Sequence, residues 1–211
     1  MRFCLPFPPP VRIFGSRNRA ANDTDCGSVL SRPANPVLYA NSHAPLTAEQ
    51  IKDLLRLEPL AIEGGFFAEA YRSTHRLMNG SLPSCYSGER ALATAIYYLL
   101  TPDTFSAIHK LRGDEVYHFY LGDPVEMLML KPDGTAEAIL IGPDIAKGMR
   151  LQHIVRGGTW QGSRLAPGGK FALMGTTMSP GFEPQDYEPG KREQLSSAYP
   201  AYAPLIAMLT R

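Results

Sequence analysis

The chain of 211 residues contains no apolar run that approaches the ~20 residues needed to cross a bilayer. Its lysines and arginines are scattered and its formal net charge is only +1, so it has no basic stripe of the kind that binds nucleic acid. Cysteine is scarce, and Cys4, Cys26 and Cys85 form neither an even set nor a C-x-x-C pair. We therefore expect a soluble, cytoplasmic protein without structural disulfides and with no nucleic-acid or membrane partner.

Residues 1–45 lack acidic side chains before Asp23, but they carry four prolines before residue 11 and four arginines by residue 19. A segment of this composition, without a strand pattern, is predicted to be a disordered or non-core N-terminal extension. Its arginine-bearing start resembles a transit peptide, although the prolines would break the helix that such a peptide needs. A mispredicted start explains the segment equally well, and in either case we expect the fold not to need it.

From residue 46 onward the pattern changes to that of a folded domain. Thr47 and Gln50 form a capping box, which predicts a helix over 48–56 with Ile51 on its apolar face. Short runs rich in aromatic and β-branched residues follow, separated by Gly and Pro turns. They predict strands at 66–73, 93–100, 105–111, 115–121, 125–131, 136–142, 150–155, 159–165 and 171–178. Since no helices alternate with these strands, the chain is predicted to be all-β, with helical turns after Pro189 and Pro200.

Between them, two segments of the domain carry histidine, glutamate and glycine residues at motif-like spacings. In HKLRGDEVYHFYLG at 109–122, six residues separate Glu115 from Gly122, as in the first cupin motif. In RGGTWQ at 156–161, Gly158 stands where the second cupin motif has its glycine, and Gln161 stands where that motif has a histidine.

Together with EGGFFAEAYRS at 63–73 and PGFEPQDYE at 180–188, these motifs resemble the RmlC-like cupin subfamily known as domain of unknown function DUF985, over residues 46–211. The resemblance implies a double-stranded β-helix, the cupin jelly-roll barrel, with a short N-terminal helix and C-terminal helical turns. It also implies a homodimer, because cupin barrels commonly pair and so cover their open edges.

The spacing of the motifs in a barrel makes the strands that carry them face one another. We therefore expect His109, Glu115 and Gln161 around one cavity, with Tyr117 on its wall. The resemblance also bears on metal binding, because the usual cupin set of three histidines and one glutamate is reduced here to His109 and Glu115. Glutamine is a weak ligand for transition metals. We expect no metal and no other cofactor; if a metal did bind, His109, Glu115 and Gln161 would hold it.

Further ligand-binding candidates surround this set: Glu69, Arg72, His118, Trp160 and Arg164. Strict alternation places Glu69 and Arg72 on opposite faces of their strand. It also turns His118 away from Glu115, although a β-bulge in that strand could turn His118 inward. Trp160 could stack on a sugar or a base, and Arg164 could bind a carboxylate or phosphate.

Two kinds of function suit these residues. One is a metal-independent isomerase or epimerase acting on a small carbohydrate-like or nucleotide-sugar ligand. His109 would be the base, Glu115 would orient it, Tyr117 or Tyr97 would return a proton, and Arg72 would hold an anionic group. The other is a binding or sensor barrel that holds a small molecule without transforming it. The loss of two of the three usual histidine ligands disfavours a metal-dependent dioxygenase. The fold does not decide between an isomerase or epimerase and a binding barrel.

Overall fold

The structure, a computed structural model, describes residues 46–211. The predicted N-terminal extension of residues 1–45 lies outside the described residues.

Helix α1 (Ala48–Leu55) begins with the predicted capping box. The hydroxyl of Thr47 accepts from the backbone N–H of Gln50 at 3.3 Å, and the side-chain oxygen of Gln50 accepts from the backbone N–H of Thr47 at 2.9 Å. Ile51 is the buried residue of the helix and packs with Leu99 and Leu173 on the outer face of a sheet. Helix α1 therefore covers one end of that sheet.

Two antiparallel sheets and a small ladder make up the β structure. In order across the first sheet, the six strands are β1 (Glu58–Pro59), β2 (Phe66–Arg72), β5 (Thr94–Leu100), β12 (Ala172–Met178), β7 (Glu115–Gly122) and β10 (Gln152–Val155). The second sheet contains β13 (Glu188–Pro189), β6 (Phe105–Lys110), β11 (Trp160–Leu165), β8 (Val125–Leu130) and β9 (Ala136–Ile141). The ladder joins β3 (Arg76–Leu77) to β4 (Arg90–Ala91). Because the chain passes repeatedly from one sheet to the other, the strands form a jelly roll.

The core lies on both faces of the second sheet. In β8, Met127 and Met129 point into the space between the sheets, whereas Leu128 and Leu130 pack beneath the C-terminal helices. These helices are α2 (Arg192–Ala198) and α3 (Ala203–Met208). A strand that is buried on both faces has apolar residues on both, which explains why every residue of VEMLML except Glu126 is apolar.

The prediction of an all-β jelly roll with a short N-terminal helix and C-terminal helical turns is confirmed. The nine predicted strands match the nine longer strands to within two residues at each end. The sequence did not indicate β1, β3, β4 and β13, since two-residue ladders carry no alternation. No helix of residues 46–211 is long and apolar enough to cross a membrane.

The outer face of the first sheet is only partly covered. Beyond α1 it exposes Tyr71, Tyr120 and Ile154, whose exposed fractions are 54%, 49% and 44%. The ring of Tyr120 lies over Gly175, where a Cβ atom would collide with the tyrosine hydroxyl. The result is a flat, partly aromatic surface on the side of the sheet away from the core.

Candidate functional site

A cavity of about 280 Å³ opens between the two sheets. Its walls come from the turn between β1 and β2, from strands β2, β5, β7 and β12, and from the segment that follows β12. Most of the lining is apolar, contributed by Leu60, Ile62, Phe67, Ile96, Leu111, Met178, Phe182 and Pro184. The polar groups are few, so each of them restricts what the cavity can hold.

Glu115, Gln161 and His109 form a connected group at the inner end. Gln161 on β11 stands opposite His109 on β6 in the strand pairing. The Gln161 amide nitrogen donates to Glu115 Oε2 at 2.7 Å and lies 3.4 Å from His109 Nε2. All three side chains are buried. The amide thus links the second sheet to the carboxylate of β7 in the first sheet.

The tautomer of His109 follows from its surroundings. Its Nδ1 lies 2.8 Å from the carbonyl oxygen of Ala107, and because a carbonyl only accepts, Nδ1 must carry a hydrogen. In the neutral ring Nε2 is then an acceptor, which suits the neighbouring Gln161 amide. A second carboxylate is nearby, with Glu63 Oε2 at 3.9 Å from Nε2.

Glu63 enters the site because of the double glycine that follows it. Gly64 has a φ of +113°, and a Cβ there would collide with the carbonyl oxygen of Phe105. The turn can therefore lie directly against β6, where the Glu63 carbonyl accepts from the Ala107 amide at 2.9 Å. Ser106 donates to Glu63 Oε1 at 2.5 Å. The motif E-G-G thus places a carboxylate at the inner end of the cavity.

The ionisation of Glu115 reflects this setting. Burial raises the pKa of Glu115, and the negative charge of Glu63 raises it further, while His109, Thr176 and Gln161 act in the opposite direction. Burial likewise raises the pKa of Tyr98 and Tyr117 well above the usual tyrosine range. Both tyrosines are therefore neutral over the physiological range.

Tyr187 separates His109 from the cavity. Its ring stacks on the imidazole with centroids 4.9 Å apart, and its hydroxyl donates to the Ile62 carbonyl at 2.9 Å. Burial and the charge of Glu63 raise the pKa of Tyr187 to about 12. Tyr187 lines the cavity whereas His109 lies behind it. A ligand therefore meets Glu63, Glu115 and Tyr187 before it can meet His109.

Glu69 and Arg72 lie together at the rim, which contradicts the expectation that they occupy opposite faces. The pairing of β2 with β5 shifts register between Glu69 and Tyr71, so the extra residue of a β-bulge restores both side chains to one face. Arg72 donates to both Glu69 oxygens at 2.8–3.1 Å and to Glu183 at 3.1 Å. Hydrogen bonding to Glu69 raises the pKa of Arg72.

The structure does not bring the remaining predicted residues to the cavity surface. Tyr117 is buried in the core behind it, and His118 lies on the outer face, 3.2 Å from Thr177 and 3.0 Å from Gln152. Trp160 packs against the C-terminal helices, and Arg164 pairs with Glu126 at 2.8 Å. For Trp160 the reason is alternation, because its neighbour Gln161 already points inward.

The donor set does not fit a metal ion. No group of three or more His, Cys, Asp or Glu side chains among the described residues is arranged to hold one. The Gln161 amide nitrogen, which carries hydrogens, lies between His109 Nε2 and Glu115 Oε2 and bonds to the carboxylate. A cation placed there would face N–H groups instead of lone pairs.

Two groups at the site were not among the predicted site residues. Glu63 belongs to a quoted motif, but only the φ of Gly64 shows why its side chain turns inward. Tyr187 comes from the segment PGFEPQDYE, whose sequence has no periodicity that would indicate a direction. Both segments are part of the resemblance to the DUF985 subfamily, and that resemblance was the sequence signal that could have pointed to Glu63 and Tyr187.

Comparison with known proteins agrees with this architecture. The family model described as Cupin superfamily (DUF985) matches residues 49–189. The uncharacterized protein YML079W of Saccharomyces cerevisiae is 28% identical over 177 residues, which cover 80% of this chain and 87% of the yeast protein.

Two solved structures are similar over nearly their whole length. A hypothetical protein from Leishmania major is 30% identical, with 78% of this chain and 99% of that chain covered and a TM-score of 0.70. Protein SO0799 from Shewanella oneidensis is 33% identical, with 79% and 99% covered and a TM-score of 0.69. The chain therefore belongs to the cupin superfamily, in its DUF985 family.

Proposed function

We propose that the protein binds one small polar organic molecule in the cavity between its sheets. One observation carries the proposal: Glu63 and Glu115 present carboxylates at the inner end of a cavity whose walls are otherwise mostly apolar. A few convergent polar groups in an apolar cleft are typical of a ligand site, where they fix the orientation of the ligand.

The size of the cavity supports a ligand with a single ring or an equivalent chain. Its volume of about 280 Å³ is close to the lower end of the range for ligand pockets, roughly 300–1,000 Å³. A nucleotide sugar would have to extend from the mouth, past Arg72 and Glu69. These two side chains already bind each other, so Arg72 has few free donors for a phosphate or carboxylate.

Filling the cavity tests the proposal. We expect Ile96→Trp to abolish the binding of small molecules that ligand-observed NMR detects from a library of monosaccharides, polyols, amines and carboxylates. Ile96 lines the cavity and is only partly buried, so the larger ring can be accommodated. Leu140→Trp is the control, because Leu140 is 39% exposed and lies outside the cavity lining. Binding that survives Ile96→Trp, or a wild-type protein that binds nothing, would refute the proposal.

A second candidate is metal-independent isomerisation or epimerisation, favoured by the pairing of Glu63 with Glu115. Because burial and the charge of Glu63 raise the pKa of Glu115, one carboxyl can hold a proton while the other accepts one. His109 lies 3.9 Å from Glu63 and would help to stabilise the charge or receive the proton. Such a reaction moves a proton between a carbon next to a carbonyl and a base, and needs no metal.

Exchange with solvent deuterium distinguishes catalysis from binding. If the protein is an isomerase, substrate incubated with it in deuterium oxide gains deuterium at the carbon next to the carbonyl, as measured by NMR. We expect Glu63→Gln to lower that exchange by at least 10²-fold while binding persists, since general acid–base groups typically contribute about 10²–10⁴-fold to the rate. Ligands that bind and never exchange would leave only the binding function.

We also propose a homodimer that forms through the exposed outer face of the first sheet. Tyr71, Tyr120 and Ile154 give that face a flat apolar surface, and a partner copy would cover it. Light scattering after gel filtration is expected to give twice the chain mass, and Ile154→Glu to give the mass of one chain. Leu140→Glu, on the second sheet, is the control. A monomeric wild-type protein would contradict this proposal without affecting the ligand site.

A further inference from the structure

The charged groups around the cavity are unbalanced. Three carboxylates line it, those of Glu63, Glu69 and Glu115, and Arg72 is the one basic side chain in its described lining. Arg72 is shared between Glu69 and Glu183, with donor–acceptor distances of 2.8–3.1 Å. The rim therefore offers a ligand no free positive charge.

At the inner end the basic group beside the carboxylates is His109, whose Nε2 lies 3.9 Å from Glu63 Oε2, and the direct hydrogen bonds to the two carboxylates come from neutral groups. Glu63 accepts from Ser106 and Glu115 accepts from Gln161, both of which are neutral donors. Gln161 Oε1 is buried and has no hydrogen-bond partner within residues 46–211. The nearby guanidinium of Arg211 donates to the Ala61 carbonyl. Two largely buried carboxylates that share a single imidazole are costly to keep charged, so this end of the cavity favours a proton or a positively charged guest.

The walls complement a cation as well. Aromatic side chains contribute to the lining at Phe67, Phe182 and Tyr187, and aliphatic side chains supply most of the remainder. The face of an aromatic ring attracts an ammonium group, and this attraction is larger where water is excluded. Apolar surface next to paired carboxylates suits a molecule with an apolar body and one charged end.

We propose that the cavity takes a small organic cation, with an ammonium group directed at Glu63 and Glu115 and an apolar body against the aromatic walls; this inference rests on the proposed function. The N–H groups of a primary ammonium would satisfy the two carboxylates. An anionic ligand would instead meet three carboxylates and an arginine that is already engaged.

Proton release should accompany binding. In the free protein, burial and the charge of Glu63 raise the pKa of Glu115, against the opposing effects of His109, Thr176 and Gln161. An ammonium group beside that carboxyl lowers its pKa, so a complex formed near the free-state pKa expels a proton. The affinity for the cation should therefore rise with pH across that range, until Glu115 is ionised in the free protein or the ligand itself loses its charge.

Three probes with the same ring test the charge preference: benzylammonium, benzyl alcohol and benzoate. Their dissociation constants would be measured by calorimetry with the full chain, in two buffers that differ in ionisation enthalpy so that released protons are counted. We expect benzylammonium to bind at least tenfold more tightly than benzyl alcohol, a difference of about 1.4 kcal/mol, and benzoate to bind more weakly than either.

Two variants that remove a carboxylate charge test which residues cause the preference for a cation. Glu63→Gln and Glu115→Gln should each weaken the binding of benzylammonium about tenfold, and by a larger factor than they change the binding of benzyl alcohol, since they remove charge and keep shape. Glu126→Gln is the matched control, because Glu126 pairs with Arg164 away from the cavity. Proton release by the wild-type protein provides a readout even if a variant fails to fold.

The outcomes separate the two proposals. If benzyl alcohol or benzoate binds as tightly as benzylammonium, and Ile96→Trp blocks that binding, the preference for a cation is refuted and the binding function stands. If benzylammonium binding survives both glutamine variants, the cation is held elsewhere and the inference is refuted. If neither the probes nor the wider library bind the wild-type protein, both proposals fail.

Discussion

Replacing Asp186 with asparagine is expected to lower the free energy of unfolding by about 3–5 kcal/mol, the usual cost of breaking a buried ion pair from one side. Asp186 Oδ1 lies 3.0 Å from Arg90 Nη2, and each side chain is only 1% exposed. Asparagine keeps the shape and removes the charge, which leaves the Arg90 guanidinium buried without its counter-ion. The partly exposed Arg112 forms a second, longer ion pair with the same oxygen, at 3.7 Å.

Urea denaturation of Asp186→Asn and Glu89→Gln checks this prediction. Glu89 pairs with Arg76 at 3.1 Å, but both side chains are nearly half exposed, so its loss should change stability by less than about 1 kcal/mol. Equal effects of the two variants would show that Arg90 finds another partner. Asp186 also precedes Tyr187, so the damaged variant should expose His109 to solvent as well.

Glu115→Gln is expected to stabilise the protein at neutral pH while weakening the ligand site. Because burial and the charge of Glu63 raise the pKa of Glu115, the folded state binds this proton more tightly than the unfolded state does. The contribution of Glu115 to stability is therefore complete below the unfolded pKa and is lost as the pH rises through the folded pKa. A glutamine, which never ionises, avoids that loss.

Denaturation of Glu115→Gln and wild type across a pH series measures the difference. The advantage of the variant should grow as the pH rises and vanish below the ordinary carboxyl range. Glu137→Gln is a control of opposite sign: hydrogen bonding to Arg150 lowers the pKa of Glu137, so that variant should lose stability near neutrality and match the wild type in acid. A Glu115→Gln protein that is less stable at neutral pH would show that the carboxylate is needed for the fold.

Much of the fold follows from the sequence, because alternation and turn residues are local properties. The strand that carries His109, Ser106 and Ala107 and the one that carries Gln161 were predicted to within one residue. Motif spacing within a barrel then suffices to predict that His109, Glu115 and Gln161 share one region. Their proposed chemical roles stay predictions.

The details that shape the cavity are not local. The register shift in β2 reverses the alternation between Glu69 and Arg72, and it depends on pairing with β5, more than twenty residues further along the chain. Tyr187 reaches His109 because the segment that holds it is anchored by the Arg90–Asp186 pair, which joins residues 96 positions apart. Contacts of that range are determined by packing, and single-strand patterns do not indicate them.

Trp160 is the chain's single tryptophan, and it lies beneath the C-terminal helices with Lys110 Nζ at 4.4 Å from its ring centroid. Intrinsic fluorescence excited at the indole band therefore reports the attachment of helices α2 and α3 to the second sheet. Since Trp160 and Gln161 point to opposite faces of β11, emission should change when those helices detach and stay constant when the cavity is filled. Trp160 emission therefore distinguishes partial unfolding at the C-terminal helices from ligand binding in the cavity.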